Sequence, residues 1–337
     1  MAREKTNIRP VAVPLHQLQS GQIADFYAQL ASKTPGTTRD GKPFFSCRFR
    51  DGRRAVSSMI WSDGDHWNPA QLEWEPERFF KIRATYTVHE KYGPQIDIHK
   101  IRSVAPGDYD EGFREADYLE RSRFDAEEMF AELRTIAMAK IDGEPLQRLT
   151  LGLLDAHAVR LKSMRASLKH YHPFPGGWLE HTLSVTRNCL FLADRYRETY
   201  TDLNPPLDRD LILAGAILHE IGRVEELTED PQPVQTVPGR MFGHILIARD
   251  MVRDAARIQG DIDPQVLQLL EHILTSYLTL PEWGSPRLPL IPEVLILHHA
   301  DDLDAKLEMY ARCLTRDTSP GPFTERDPQL GRALLKR

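Results

Sequence analysis

The chain has 337 residues, 41% of them hydrophobic and 27% charged, and carries a formal net charge of −6 at pH 7. That length exceeds one small module and suits about two domains of roughly 100–200 residues each. Its longest apolar run, residues 211–218, falls far short of the ~20 residues that cross a bilayer, so no membrane span is expected. The amino terminus is charged and lacks the apolar stretch of a secretory signal, which points to the cytoplasm.

Residues 43–50 alternate apolar and polar side chains, Asp51 and Gly52 supply a hairpin turn, and residues 54–61 return as the partner strand. Two more strands are predicted over 78–88 and 95–104, joined across Lys91, Tyr92, Gly93 and Pro94. Short strands with turn signals and no helical period between them predict a small β-barrel or sandwich. Alternation puts Phe45 and Phe49 on one face of the first strand and Phe44, Ser46, Arg48 and Arg50 on the other. Between Ile23 and Ala105 there are thirteen Lys/Arg against ten Asp/Glu, a local basic excess in an acidic chain. The face with Phe44, Arg48 and Arg50, with Lys91 from the turn, is either a surface for stacking bases and tracking phosphates or a solvated barrel exterior.

From about residue 114 the period changes. Phe124, Met129, Phe130, Leu133, Ile136 and Ala137 recur at helical spacing, and the pattern resumes over 146–168. Further helices are predicted over 179–200, 209–221, 242–258, 264–278 and 292–314, separated by loops rich in Pro and Gly. The three cysteines, Cys47, Cys189 and Cys313, are widely spaced and odd in number, which argues against a disulfide framework or a cysteine metal site. They are expected to be buried or inert thiols.

Histidine carries more information. Nine of thirteen follow Gly152. His181 comes early in a helix after Gly176 and Gly177, His219 and Glu220 close the strongly apolar helix, His244 follows Gly243 at another helix start, and His298 and Asp301 share a helix face. Imidazoles and carboxylates drawn from separate helices are what a divalent cation in a helical core requires. Burying that many ionisable groups without a metal or mutual pairing is costly.

Six ordered segments carry a resemblance: HPFPGGWLEH (172–181), LAGAILHEIG (213–222), GHI (243–245), HIL (272–274), EWGSP (282–286) and LHHADDLDAK (297–306). Together they resemble the HD superfamily of metal-dependent phosphohydrolases, and specifically the YhaM-like 3′–5′ exoribonucleases, which join an OB-fold to an HD domain. The resemblance implies a two-domain fold, with an all-β OB-like barrel followed by an all-α HD domain. Its expected divisions are a nucleic-acid-binding barrel over 1–112, a helical linker and the start of the helical domain over 113–168, the HD domain over 169–314 and a carboxy-terminal tail over 315–337.

It further implies metal ligation by His181, His219, Glu220 and Asp301, with His244 offered to a second metal. The cofactor would be a divalent cation, Mn2+ or Mg2+, and the substrate single-stranded RNA or DNA; self-association stays open. Arg223 stands where the family usually has lysine and keeps a charge for phosphate. His298 and Lys306 are either phosphate contacts or structural groups on a polar face.

This sequence departs from the family in four places. Glu220 replaces the name-giving aspartate, Arg223 the lysine, Tyr277 and Leu278 a His-His pair, and Tyr171 the first member of another pair that His172 retains. The expected activity is therefore metal-dependent phosphodiester hydrolysis of single-stranded nucleic acid, which the resemblance makes RNA degraded from the 3′ end, with one metal position weakened. The alternatives are a catalytically silent nucleic-acid-binding or regulatory protein of the same fold, and a small-nucleotide phosphohydrolase.

Overall fold

The computed structural model describes residues 12–89, 93–229, 233–317, 319 and 321–336. The chain forms two compact units, one comprising Met1–Glu120 with Ala311–Arg337 and the other Arg121–Tyr310.

In the first unit, β1 (Ile23–Thr37), β2 (Pro43–Arg50), β3 (Ala55–Trp61), β4 (Phe79–His89) and β5 (Gly93–Ser103) close into a barrel in the order β1-β2-β3-β5-β4. Neighbours are antiparallel except β3 and β5, which are parallel. This is the expected OB-like barrel. The alternation of β2 is realised: Cys47 and Phe49 are buried, and Phe49 meets Trp74 and Phe80 edge-on. Burial pushes the Cys47 thiol up to about 12, and all three cysteines are free. At the hairpin turn, Asp51 accepts from the backbone N–H of Arg53 and Arg54.

Strand β1 has no counterpart among the predicted elements. Its residues Phe26, Tyr27, Ala28, Gln29 and Leu30 are buried in succession, so the period of two is absent. Gln29 is accommodated because Arg50 Nε donates to its amide oxygen at 2.8 Å and its own amide reaches Glu77 at 3.0 Å. The register then slips between Leu30 and Ser32, a bulge that bends the strand around the barrel. A short α1 (Trp67–Leu72) joins β3 to β4, and α2 (Pro106–Asp110) follows β5. Carboxyl-terminal residues of this unit return toward β2: Glu325 lies 3.8 Å from Arg48, and Arg316 pairs with Glu120.

The second unit contains α3 (Ala126–Lys140), α4 (Glu144–Ala156), α5 (Ala158–Ser163), α6 (Gly177–Thr199), α7 (Arg209–Leu218), α8 (Arg223–Glu226), α9 (Val237–Gln259), α10 (Pro264–Ser276) and most of α11 (Pro292–Arg316). Asp125, Asp208, Thr236 and Asp263 accept from the first free N–H groups of α3, α7, α9 and α10. Helix α7 is apolar on every side, and all its residues from Leu211 to Leu218 are buried among α3, α4, α6 and α10. Each such leucine or isoleucine contributes about 2 kcal/mol by leaving water, which anchors the end of α7 where polar side chains begin. The predicted helix over 209–221 stops at Leu218 and resumes as α8. Helix α9 starts at Val237, before the expected residue, and breaks at Gly243 (φ 70°, ψ 162°), a conformation open in practice only to glycine. No helix of the described residues is long and apolar enough to cross a membrane.

Candidate metal centre and nucleic-acid interface

His181 lies one turn into α6, His219 and Glu220 follow the last residue of α7, and Asp301 and Asp304 are a turn apart on α11. His181 Nε2 is 3.4 Å from His219 Nε2 and 3.0 Å from Asp301 Oδ1, and His219 Nε2 is 3.6 Å from the same oxygen. Both histidines and Glu220 are fully buried, and Asp301 is 6% exposed.

The outer nitrogens decide what the inner ones are. His181 Nδ1 is 2.7 Å from Asp304 Oδ2, and His219 Nδ1 is 2.7 Å from the Ala216 carbonyl oxygen. Low-lying carboxylate and carbonyl oxygens only accept, so each Nδ1 donates and, in a neutral ring, each Nε2 presents a lone pair. With both rings neutral, two imidazole lone pairs and a carboxylate oxygen face one another. Glu220 Oε2 is buried and has no hydrogen-bond partner among the described residues.

Such a group repels itself unless a positive charge lies within it. A proton is one source: although burial opposes it, the Asp301 and Asp304 hydrogen bonds push His181 up to about 10. Likewise, against the cost of burial, bonds from His181 and His219 hold the Asp301 carboxyl well below the usual range. A divalent cation is the other source. The donor set suits it: two imidazoles and two carboxylates, with each imidazole oriented by an acceptor behind it. His181, His219 and Glu220 offer ligand atoms within 4.8 Å of one another.

Asp304 is a site residue that sequence reasoning missed. Besides His181 it meets His172 Nε2 at 3.1 Å and accepts from the Ser184 hydroxyl. Its one available signal was its position three residues after Asp301, on the same face of α11.

Arg223 is largely enclosed on the other side of Glu220. It donates through Nη2 to Glu220 Oε1 at 2.6 Å and through Nη1 to Glu226 Oε2 at 2.9 Å. The Tyr171 hydroxyl donates to the same Glu220 oxygen at 2.5 Å. Despite burial, the Arg223 charge, helped by the nearby histidines, keeps Glu220 at about 2. His244 Nε2 is 2.9 Å from the Tyr277 hydroxyl, and its Nδ1 is 3.5 Å from Glu226. A close approach of α9 makes this possible: a Cβ on Gly222 would lie 2.1 Å from the His244 carbonyl oxygen.

The expected residues thus fall into distinct places. His181, His219, Glu220 and Asp301 converge, and Arg223 joins them through Glu220. His244 is engaged by Tyr277 and Glu226. His298 Nδ1 is 2.9 Å from the Tyr277 carbonyl oxygen, and its ring stacks on Trp283. Lys306 is exposed and donates to Asp302 at 2.7 Å.

On the barrel, Phe44 packs against Trp61 with ring centroids 5.4 Å apart, and the Lys42 ammonium lies over Trp61 at 5.6 Å. Trp61 is 40% exposed, so this pair presents an aromatic face beside a cation. Arg48 shares the outer face of β2 and is half exposed, whereas Arg50 is tied to Gln29 and Glu77. Lys91 and Tyr92 lie outside the described residues.

The HD domain family matches residues 178–306, a span that contains His181, His219, Glu220, Asp301 and Asp304. The 3′-5′ exoribonuclease YhaM of Bacillus licheniformis is 31% identical over 93% of this chain and 94% of its own length. That of Bacillus subtilis is 31% identical over the same shares, and that of a Geobacillus species is 31% identical over 91% of this chain and 89% of its own. With a closed barrel ahead of a helical unit, a buried histidine and carboxylate cluster, and relatives matching nearly the whole length, the chain belongs to the YhaM-like family of HD-domain exoribonucleases.

Proposed function

We propose that the protein hydrolyses single-stranded RNA from the 3′ end, in the cytoplasm, with one divalent cation, Mn2+ or Mg2+, held by His181, His219, Glu220 and Asp301. The observation that carries this reading is the convergence of His181 Nε2, His219 Nε2 and Asp301 Oδ1, separated by 3.0 to 3.6 Å, beside a Glu220 oxygen that has no partner among the described residues.

A bound cation supplies Lewis acidity, binding phosphate oxygens and lowering the pKa of water. The remaining work belongs to the chain. Asp304 and the Ala216 carbonyl keep the two imidazoles in the tautomer that offers Nε2. Arg223 holds one oxygen of Glu220 and leaves the other open. The Nε of Arg223 is buried without a partner among the described residues, a donor suited to a phosphate oxygen. On the barrel, Phe44 and Trp61 offer stacking surfaces, while Arg48 and Lys42 supply charge for the backbone. That the relatives are named as exoribonucleases favours RNA over DNA in this reading.

The test follows 5′-labelled single-stranded RNA and DNA with added Mn2+, comparing the wild type with Asp301→Ala. Labelled RNA that shortens progressively in the wild type and stays intact in the variant supports the reading. Equal background rates in the two proteins contradict it and make the chain a binding module.

A further inference from the structure

We propose that the Arg223 guanidinium is a built-in second cation, so that this centre takes one metal ion rather than two. The inference rests on the metal reading above and deepens it.

Beside His181, His219, Asp301 and Glu220 Oε2 lies a second group of ligand-type side chains: Glu220 Oε1, the Glu226 carboxylate and His244. All are buried or nearly so, and His244 Nδ1 is 3.5 Å from Glu226 Oε2. Two buried carboxylates and an imidazole are what a second divalent ion would require. A guanidinium sits among them instead, bridging Glu220 Oε1 at 2.6 Å and Glu226 Oε2 at 2.9 Å.

The remaining valences are closed by two phenols. Tyr171 donates to Glu220 Oε1, and Tyr277 meets His244 Nε2 at 2.9 Å. The ligand atoms of this second group are therefore taken up around the guanidinium. Glu220 divides between them, one oxygen bound to Arg223 and Tyr171 and the other without a partner among the described residues.

The planar fork of arginine explains why it suits this place. It reaches two carboxylates at once and keeps its charge at any accessible pH, which a lysine's single ammonium cannot do with the same geometry. Removing it would leave two carboxylates buried and uncompensated. That vacancy has the charge and the ligands to take a metal ion.

The experiment titrates metal-stripped full-length protein with Mn2+ and reads bound Mn2+ per chain, with electron paramagnetic resonance to detect coupled ion pairs. The wild type is expected to bind one equivalent with an uncoupled signal. Arg223→Met is expected to bind two, and Arg223→Lys to remain at one. Two equivalents in the wild type, or one in a folded Arg223→Met, overturn the role given to Arg223. No bound Mn2+ in the wild type overturns the metal reading itself, a distinct result. Should Arg223→Met fail to fold, Tyr277→His decides: it adds a ligand but keeps the guanidinium. One equivalent there supports the proposal, and two overturn it.

Discussion

Asp304 fixes the hydrogen on His181 Nδ1, and its second oxygen is held by Ser184. Acceptors behind a ligating imidazole typically influence metal affinity by tenfold to a hundredfold. Replacing Asp304→Asn is therefore expected to weaken Mn2+ binding by about tenfold or more, read by calorimetry. Unchanged affinity in a folded variant would remove Asp304 from the centre. The four converging residues were legible beforehand because His219 and Glu220 close a strongly apolar helix and all four stand in the ordered segments that carry the family resemblance. Asp304 and the hydroxyls of Tyr171 and Tyr277 were not legible as partners. An acceptor for a ring nitrogen, or a phenol beside a carboxylate, has no spacing of its own and becomes visible only when helices distant in sequence are packed together. The two barrel arginines also differ in a way alternation cannot show. Arg48 faces Glu325 loosely at 3.8 Å, while Arg50 satisfies the buried amide of Gln29. Arg48→Ala is expected to weaken single-strand binding and lower its salt dependence, with the slope against log salt falling by about 0.7. Arg50→Ala is expected to lower the barrel's stability as well, by about 1 kcal/mol. Binding and melting measurements on the two variants separate these outcomes, and identical behaviour would contradict the distinction.

Helix junctions set the geometry at the next scale. Gly222 lets α9 approach so closely that an added Cβ would meet the His244 carbonyl oxygen at 2.1 Å and the Ala248 nitrogen at 2.6 Å. Because both neighbours are backbone, Gly222→Ala must displace α9, at a cost of about 2–3 kcal/mol. The expected readout is a fall in Tm of about 5–10 °C; an unshifted Tm would show that the junction yields freely. On the barrel, α2 is held by Asp108, whose carboxylate accepts from Arg102 through two bonds of 2.6 Å and from Tyr27 at 3.0 Å. The Arg102 hydrogen bonds, acting against burial, hold the Asp108 carboxyl well below the usual carboxylate range. A carboxyl depressed in the folded state stabilises fully above its unfolded value, about 4, and that contribution fades as pH falls through the folded value. Asp108→Asn is thus expected to melt lower than the wild type by a constant margin above about pH 5 and by a shrinking margin below about pH 4. A margin that widens in acid would contradict this. Most elements were readable from periodicity, since β2 to β5 alternate and α7 is uniformly apolar. Strand β1 escaped because five successive buried residues followed by a bulge imitate neither a strand nor a helix.

Across the whole molecule, chemistry is concentrated by burial rather than by net charge. The chain is acidic, yet its barrel carries exposed cations and its helical unit gathers carboxylates and imidazoles in a buried interior. That contrast was visible in composition as a basic stretch and a late run of histidines. The central claim is that the lone pairs of His181, His219 and Asp301 converge on one cation. Its most direct test is an anomalous difference map, recorded at the manganese edge, from crystals of full-length protein grown with Mn2+. One peak is expected, coordinated by His181 Nε2, His219 Nε2, Glu220 and the Asp301 carboxylate. Absence of density there, or a peak held instead by Glu226 and His244, would contradict it.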